Sequence, residues 1–190
     1  MRITFELSDS DLKHFRGVMK HAMEAHKGTE PKAIISAAEG LLAEVKKVSA
    51  PGFIKSRLAK LRELIDMLND EGWALPDTER ARVVSALAYF SDPEDLIPDE
   101  IPGLGFLDDA IMIELVAREL KPELEAYDDF CRYRSAEVKR RGLKAEELVR
   151  EDYFVNRRKQ LHARIKRRRR AGKKRRAGGR VGSNLNLFGR

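Results

Sequence analysis

Apolar residues recur every three or four positions in three consecutive stretches, within residues 12–26, 34–48 and 54–68. Short breaks at residues 28–31 and at Pro51-Gly52 separate these stretches. Glycine and proline end or begin helices at such positions. The pattern therefore predicts three helices, joined by short turns and packed antiparallel as a bundle.

Two later stretches are apolar on nearly every side of a helix, one from Val83 to Phe90 and one from Leu107 to Leu120. Helices of this kind are buried on most sides. The sequence therefore predicts an all-α fold, a helical bundle with two central buried helices joined by a loop rich in Pro, Gly and Asp. The longest β-like alternation runs only from Arg2 to Leu7. Charged residues interrupt every apolar stretch before it reaches 18 residues, so we expect no membrane-spanning helix.

A further helical pattern begins at Lys144 and continues into a strongly basic segment. Gly172, Gly178, Gly179 and Gly182 favour a flexible end there. We predict a basic C-terminal helix followed by a flexible tail. The predicted organisation is an N-terminal helical region (1–75), a central helical domain packed on it (76–142), and the basic helix and tail (143–190).

Charge is distributed unevenly along the chain. The 190 residues carry a formal net charge of +7, and residues 157–190 contain fifteen Lys and Arg and no acidic residue. Since +7 minus +15 is −8, residues 1–156 carry a net charge of −8. An acidic body repels phosphate, so we expect a polyanion to bind the C-terminal segment and not the body.

This segment is the predicted nucleic-acid-binding site. Between residues 157 and 176 it has nine Arg and four Lys, and guanidinium groups pair bidentately with phosphate and stack on bases. We predict a non-enzymatic nucleic-acid-binding protein, with RNA (including ribosomal RNA) favoured over DNA because no recognition-helix motif precedes the tail. The predicted contact residues are Arg157, Arg158, Lys159, Arg164, Lys166, Arg167, Arg168, Arg169, Arg170, Lys173, Lys174, Arg175, Arg176 and Arg180.

Three other interpretations of the basic segment stay open. The first is a solvated extension that makes no specific contact. The second is attachment to anionic lipid. The third is a segment that folds against the acidic body and is released by a competing polyanion. Stable membrane insertion is disfavoured, because the segment has few apolar anchors.

The expected compartment is the cytoplasm. Cys131 is the only cysteine, so an intrachain disulfide is excluded and a reducing environment is favoured. The first fifteen residues also lack the uninterrupted apolar run of a secretory signal.

The loop between the two buried helices carries an unusual spacing of Pro, Gly and Asp. It reads Asp95-Leu96-Ile97-Pro98-Asp99 and then Ile101-Pro102-Gly103-Leu104-Gly105-Phe106-Leu107-Asp108-Asp109-Ala110. Over about residues 80–117 the chain resembles the YkvA-like family, a bacterial domain of unknown function. The resemblance implies a compact helical unit in a bacterial cytoplasmic protein and transfers no catalytic residue. Some relatives are linked to membranes, so a membrane-proximal or protein-interaction module is the second functional hypothesis.

The motif residues have two interpretations. Carboxylates at Asp95, Asp99, Asp108 and Asp109 are the oxygen ligands that Mg²⁺ or Ca²⁺ prefers, which would suit a metal-dependent enzyme. Neither EF-hand spacing nor a histidine partner accompanies them, so a structural role is favoured, in turns beside proline and at the amino end of the next helix. We therefore expect no catalytic residue, metal or cofactor, and we assign structural roles to Asp95, Pro98, Asp99, Pro102, Gly103, Gly105, Asp108 and Asp109.

Overall fold

The computed structural model describes residues 8–47, 50–91, 97, 101, 105–142 and 154–178, with side chains described as far as Lys173. These residues form seven α-helices and a short 3₁₀ helix, Ala88–Ser91, which continues α4. Within these ranges the chain contains no strand, so the predicted all-α fold is confirmed. The α-helices are α1 (Asp9–Ala25), α2 (Pro31–Lys47), α3 (Gly52–Asn69), α4 (Asp77–Leu87), α5 (Leu107–Glu119), α6 (Lys121–Arg141) and α7 (Val155–Gly178).

Local signals in the sequence fix several helix ends. Ser8 caps α1 through a reciprocal pair of hydrogen bonds, because the Asp11 amide donates to Ser8 Oγ (3.3 Å) and the Ser8 amide donates to Asp11 Oδ2 (2.9 Å). Gly142 ends α6 with φ of 65°, a left-handed conformation that glycine adopts without strain. The region from Arg2 to Leu7 lies outside the described residues.

Helix α5 occupies the centre of the fold. Every residue from Leu107 to Ala117 is buried except Glu114, and α3 packs along one side of this helix. Burial of α5 on all sides is as predicted from its composition. Helix α4 is buried mainly in its second half, where Val83, Val84, Ala86 and Leu87 face the core. Its first turn carries charged residues, of which Glu79 is buried.

Helix α1 packs against α4, α5 and the 3₁₀ helix, whereas α2 packs against α3, α4 and the 3₁₀ helix. The first three helices are therefore shared with the later part of the chain and do not form a separate bundle. One hydrophobic cluster runs from Leu12 in α1 to Ile165 in α7. The proposed division into three parts stays a prediction, and these parts contribute to one core.

Helix α7 extends further toward its carboxyl end and is better anchored than its sequence suggests, whereas residues 143–153, where the helical pattern begins, lie outside the described residues. It extends through Gly172 to Gly178, although we expected flexibility from Gly172 onward. Leu161 and Ile165 are 2% and 0% exposed and join the main cluster. Carboxylates on the body also pair with several of its arginines, which lowers the self-repulsion that would fray the helix in isolation.

Candidate polyanion interface

An aromatic cluster holds the amino end of α7 on the body. Phe154, 2% exposed, lies edge-on to Phe130 with ring centroids 5.5 Å apart and to Tyr133 at 6.1 Å. Edge-to-face pairs of this kind add stability beyond the area that they bury. Trp73 and Phe130 are both fully buried in the same cluster, with ring centroids 5.0 Å apart. These aromatics form core and helix-packing contacts.

His162 extends this cluster one turn along α7. Its ring packs edge-on against Trp73, with centroids 4.5 Å apart. Burial lowers the pKa of His162 to about 4, and the positive charges of Arg158 and Lys166 act in the same direction. The imidazole is therefore neutral at physiological pH, and its protonation opposes the docking of α7.

Two arginines, one turn apart on α7, bind carboxylates one turn apart on α6. Arg164 pairs with Asp129 at 2.5 Å and also donates to the backbone carbonyl of Glu125 at 3.2 Å. Arg168 pairs with the side chain of Glu125. The hydrogen bond from Arg164 lowers the pKa of Asp129, so this carboxylate is ionised throughout the physiological range.

Arg169 enters the most buried polar site that contacts α7. Its guanidinium pairs with Glu123, which is 0% exposed, and lies 4.0 Å from Glu79, which is 5% exposed. Arg82 of α4 binds the same two carboxylates, at 2.8 Å from Glu79 and 3.7 Å from Glu123. Burial raises the pKa of Glu123, although the hydrogen bond from Arg169 opposes this. Two arginines and two glutamates thus form a buried network that joins α4, α6 and α7.

Two further arginines contact the body near the start of α7. The Arg157 guanidinium lies 5.5 Å from the centre of the Tyr133 ring, and Arg158 donates to the carbonyl of Gly72 at 2.9 Å. Seven of the nine arginines between residues 157 and 176 have described side chains, and five of these seven contact the body: Arg157, Arg158, Arg164, Arg168 and Arg169. The arginine excess that suggested phosphate recognition is in large part used for docking α7.

The opposite face of α7 is an uncompensated basic surface, which we call the outer face. Its side chains are exposed, and in the part of the chain with described side chains none of them takes part in an ion pair. At 1.5 Å per residue, the surface is about 21 Å long. Its basic residues are Lys159, Lys166, Arg167, Arg170 and Lys173.

Four predicted contact residues cannot be placed on either face. The backbone of Lys174, Arg175 and Arg176 continues α7, but their side chains lie outside the described part. Arg180 lies beyond the described residues altogether.

Two aspartates of the loop motif lie in the first turn of α5, where both are buried. Asp108 Oδ2 accepts hydrogen bonds from the Ile97 amide at 3.1 Å and from the Tyr89 hydroxyl at 3.5 Å. Asp108 thus connects the 3₁₀ helix and the loop to α5. The Gly105 amide donates to the Ile101 carbonyl at 2.8 Å and closes a turn before the helix.

The rest of the motif lies outside the described residues: Asp95, Pro98, Asp99, Pro102 and Gly103. Among the residues that are described, no group of three or more His, Cys, Asp and Glu side chains is arranged to hold a metal ion. Since Asp95 and Asp99 belong to the predicted carboxylate set, the metal interpretation of this loop is not tested.

The acidic partners of α7 were not predicted from the sequence, and neither was His162. These partners are Glu79, Glu123, Glu125 and Asp129. A signal existed, because Glu125 and Asp129 have the same four-residue spacing as the bases at 164 and 168. Such spacing is common on helix surfaces, so only the packing of α6 against α7 shows that these residues meet.

Acidification should loosen α7 through His162. Its pKa in the folded protein is about 4 against an ordinary 6.5, so the neutral form is favoured by folding. Stability from this residue is complete above pH 6.5 and is lost as pH falls toward 4. Trp73, the only tryptophan, contacts His162 and provides a fluorescence readout. We expect urea unfolding followed by this fluorescence to show a loss of stability between pH 6.5 and 4.5 that is smaller in His162→Gln.

Comparison with His162→Gln is necessary because Glu123 acts in the opposite direction. Its pKa is raised, so its protonation is favoured in the folded state as pH falls. The difference between the two proteins isolates the histidine. Equal pH dependence in both would show that His162 does not control docking.

Comparisons with known proteins connect the central part of the chain to an existing family. Residues 79–115 match the family described as Protein of unknown function (DUF1232). The chain is 34% identical over 103 residues to "Uncharacterized membrane protein YkvA" of Bacillus subtilis (strain 168), across 51% of this chain and 92% of that relative. No solved structure matches the chain. In the described residues, we find no helix with both the length and the apolar character needed to cross a bilayer.

Proposed function

The chain belongs to the YkvA-like family, whose function is unknown, and we propose from the geometry of α7 that it is a non-enzymatic nucleic-acid-binding protein. The outer face of α7 is the binding surface. RNA is favoured over DNA, and the proposed location is the cytoplasm. The helical body positions α7 and is free to bind a protein partner through other surfaces.

One observation carries this proposal: the two faces of α7 differ in how their charges are compensated. The face of α7 that docks on the body, which we call the inner face, contains Arg164, Arg168 and Arg169, and these pair with body carboxylates. The five exposed bases of the outer face have no acidic partner among the described residues. Phosphates can supply the missing negative charge and release counterions. Because α7 is already held by the core, binding does not have to order a free chain, which reduces its entropic cost.

The composition of the outer face favours nucleic acid over lipid. Asn156, Gln160, Ala163 and Ala171 separate the bases, and all four are exposed. None of them offers a large apolar group for insertion among acyl chains. Polar amides and arginines at 167 and 170 suit hydrogen bonds and stacking with unpaired bases.

Docking of α7 also favours RNA over duplex DNA. A recognition helix enters the major groove, which is about 12 Å wide, with much of its circumference. In this protein the inner face of α7 is covered by α6 and the aromatic cluster. Only the outer half is available, which suits phosphates and unstacked bases on an RNA surface better than deep insertion into a groove.

Salt dependence of RNA binding tests the proposal. If five bases contact phosphates, log Kd should rise with log salt concentration with a slope of about 3 to 5. A charge-neutralised variant should lose most of this slope and bind at least about tenfold more weakly at low salt. That variant combines Lys159→Gln, Lys166→Gln, Arg167→Gln, Arg170→Gln and Lys173→Gln.

A matched control changes net charge by the same amount on other helices. It combines substitutions at exposed lysines of α1, α2 and α3 and should keep nearly all of the salt slope. Comparable loss in both variants would show that net charge alone drives binding and would reject the outer face as the site. The control substitutions are Lys13→Gln, Lys20→Gln, Lys32→Gln, Lys46→Gln and Lys55→Gln.

A second candidate is attachment to an anionic membrane surface. It is favoured by the name of the Bacillus relative, which is called a membrane protein. Lysines near an anionic bilayer each contribute about 1 kcal/mol. Liposome flotation separates the two candidates. The membrane candidate would be favoured if the protein bound anionic but not neutral vesicles, if the charge-neutralised variant lost this binding, and if the protein did not bind RNA.

A further inference from the structure

A cleft of about 560 Å³ lies where the carboxyl-terminal half of α7 meets the junction between α5 and α6. The side chains that line it come from four helices, which a linear basic tail would not bring together. Bases predominate in the lining, with two acids, Glu119 and Glu125, beside them. The six bases are Arg82, Arg118, Lys121, Arg168, Arg169 and Lys173.

Buried carboxylates form ion pairs with several of these bases and fix their positions. Glu79 and Glu123, at 5% and 0% exposure, orient Arg82 and Arg169. Glu114, largely buried, receives a hydrogen bond of 2.9 Å from Arg118. Glu79, Glu114 and Glu123 are therefore largely buried and do not line the cleft, whereas the bases that they bind do. Fixed donors of this kind bind an anion without a large loss of side-chain entropy.

Hydrogen-bonding capacity remains in the cleft after these pairs are made. Glu125 is the only lining acid in an ion pair with the lining bases, and it serves both Lys121, at 3.7 Å, and Arg168. Lys173 takes part in no ion pair among the described side chains. Lys121, Arg168 and Lys173 are exposed, so donors on their side chains are accessible to an oxyanion in the cleft.

Space is available for such a ligand on the α7 side. Gly172 lines the cleft, and even an added Cβ there would meet no atom within 4 Å. The wall is therefore open beside Arg168 and Lys173. An arginine-rich cleft of this shape matches the tetrahedral oxygens of phosphate, to which guanidinium groups bind bidentately.

We propose that this cleft binds a terminal phosphate group and that, resting on the proposed function, it recognises the phosphorylated end of a bound RNA. A terminal phosphate carries about −1.5 to −2 at neutral pH, more than an internal phosphodiester. A terminal phosphate can also enter a concave site, whereas an internal phosphodiester is held outside it by the nucleotides on both sides. Lys173 belongs to both surfaces, so a strand on the outer face of α7 leads into the cleft.

Two variants separate the cleft from the outer face. Arg118→Gln with Lys121→Gln removes two cleft bases whose side chains are 41% and 71% exposed, so the fold should be retained. Lys159→Gln with Lys166→Gln removes the same charge from the outer face away from the cleft. Affinity is measured for one oligoribonucleotide with a 5′-phosphate and the same sequence with a 5′-hydroxyl.

The wild-type protein should bind the 5′-phosphorylated strand about tenfold more tightly, the effect of roughly one well-placed charge. The cleft variant should lose this preference while it still binds the hydroxyl strand. The outer-face variant should bind both strands more weakly and keep the ratio of the two affinities. A preference that is absent in the wild type, or unchanged in the cleft variant, overturns the assignment.

Titration of the full chain with inorganic phosphate makes failure of this site distinguishable from failure of RNA binding. Amide resonances of Gly172 and Glu125, which line the cleft and are unchanged in both proteins, should shift in the wild type and not in the cleft variant. If phosphate shifts them and RNA does not bind, the cleft stands and the proposed function is wrong. If RNA binds through the outer face and phosphate causes no shift, the proposed function stands and the cleft proposal is wrong.

Discussion

Replacing Arg169 with alanine should destabilise the docked state of α7 by about 3 kcal/mol, the typical cost of removing one partner from a buried ion pair. Glu123 and Glu79 would remain buried at 0% and 5% exposure with Arg82 as their only other cationic partner in the described residues. The loss is measured by urea unfolding at pH 7, with far-ultraviolet circular dichroism and Trp73 fluorescence recorded together.

The neighbouring residue supplies the control for this experiment. Arg170→Ala removes the same charge and a similar side chain from the exposed face, where no ion pair is present, and should cost less than about 0.5 kcal/mol. Adding Glu123→Gln to Arg169→Ala removes one of the uncompensated charges and should recover part of the stability. If Arg169→Ala and Arg170→Ala have equal effects, the buried network does not hold α7.

Phe154→Ala should cost about 3 to 4 kcal/mol, the usual range for truncating a buried phenylalanine. This side chain is 2% exposed and contacts Phe130 and Tyr133 at the point where α7 begins. Its removal leaves a cavity beside Phe130, which is itself fully buried and cannot move far to fill it. Hydrogen exchange should show faster opening of α7 amides, with smaller changes in α5.

Asn156→Ala is a suitable control for the phenylalanine variant, since Asn156 is exposed on the same turn of α7. A substitution there should change stability by less than about 0.5 kcal/mol. Phe154→Leu should cost less than Phe154→Ala, because it retains part of the buried volume. Similar exchange rates for α7 in the alanine variant and the wild type would mean that the polar contacts alone hold the helix.

The arginines of α7 illustrate how one residue type serves two purposes on a single helix. Arg164 and Arg168 bind carboxylates of α6, whereas Arg167 and Arg170 are exposed on the outer face. A planar guanidinium suits a partly buried ion pair, so arginines on the inner face do not by themselves indicate nucleic acid. The polyanion proposal consequently depends on the exposed bases and not on the total count.

The linear sequence was sufficient to determine the helices and several of their ends. Apolar spacing depends only on residues three or four apart, and caps such as Ser8 with Asp11 are formed within one turn. Burial of α5 followed from its composition, because a helix that is apolar on all sides has no stable exposed position. Membership of the YkvA-like family was visible in the loop motif for the same local reason.

Only the tertiary structure decided which charges of α7 are neutralised and which remain. Arg169 meets Glu123 and Glu79 across 46 and 90 positions of sequence, and no local pattern specifies that pairing. Electrostatic interaction depends on distance in space and on burial, both of which arise from the packing of α4, α6 and α7. The sequence therefore determined that the C-terminal segment is basic and helical, and the fold determined that one of its faces is docked while the other is free to bind.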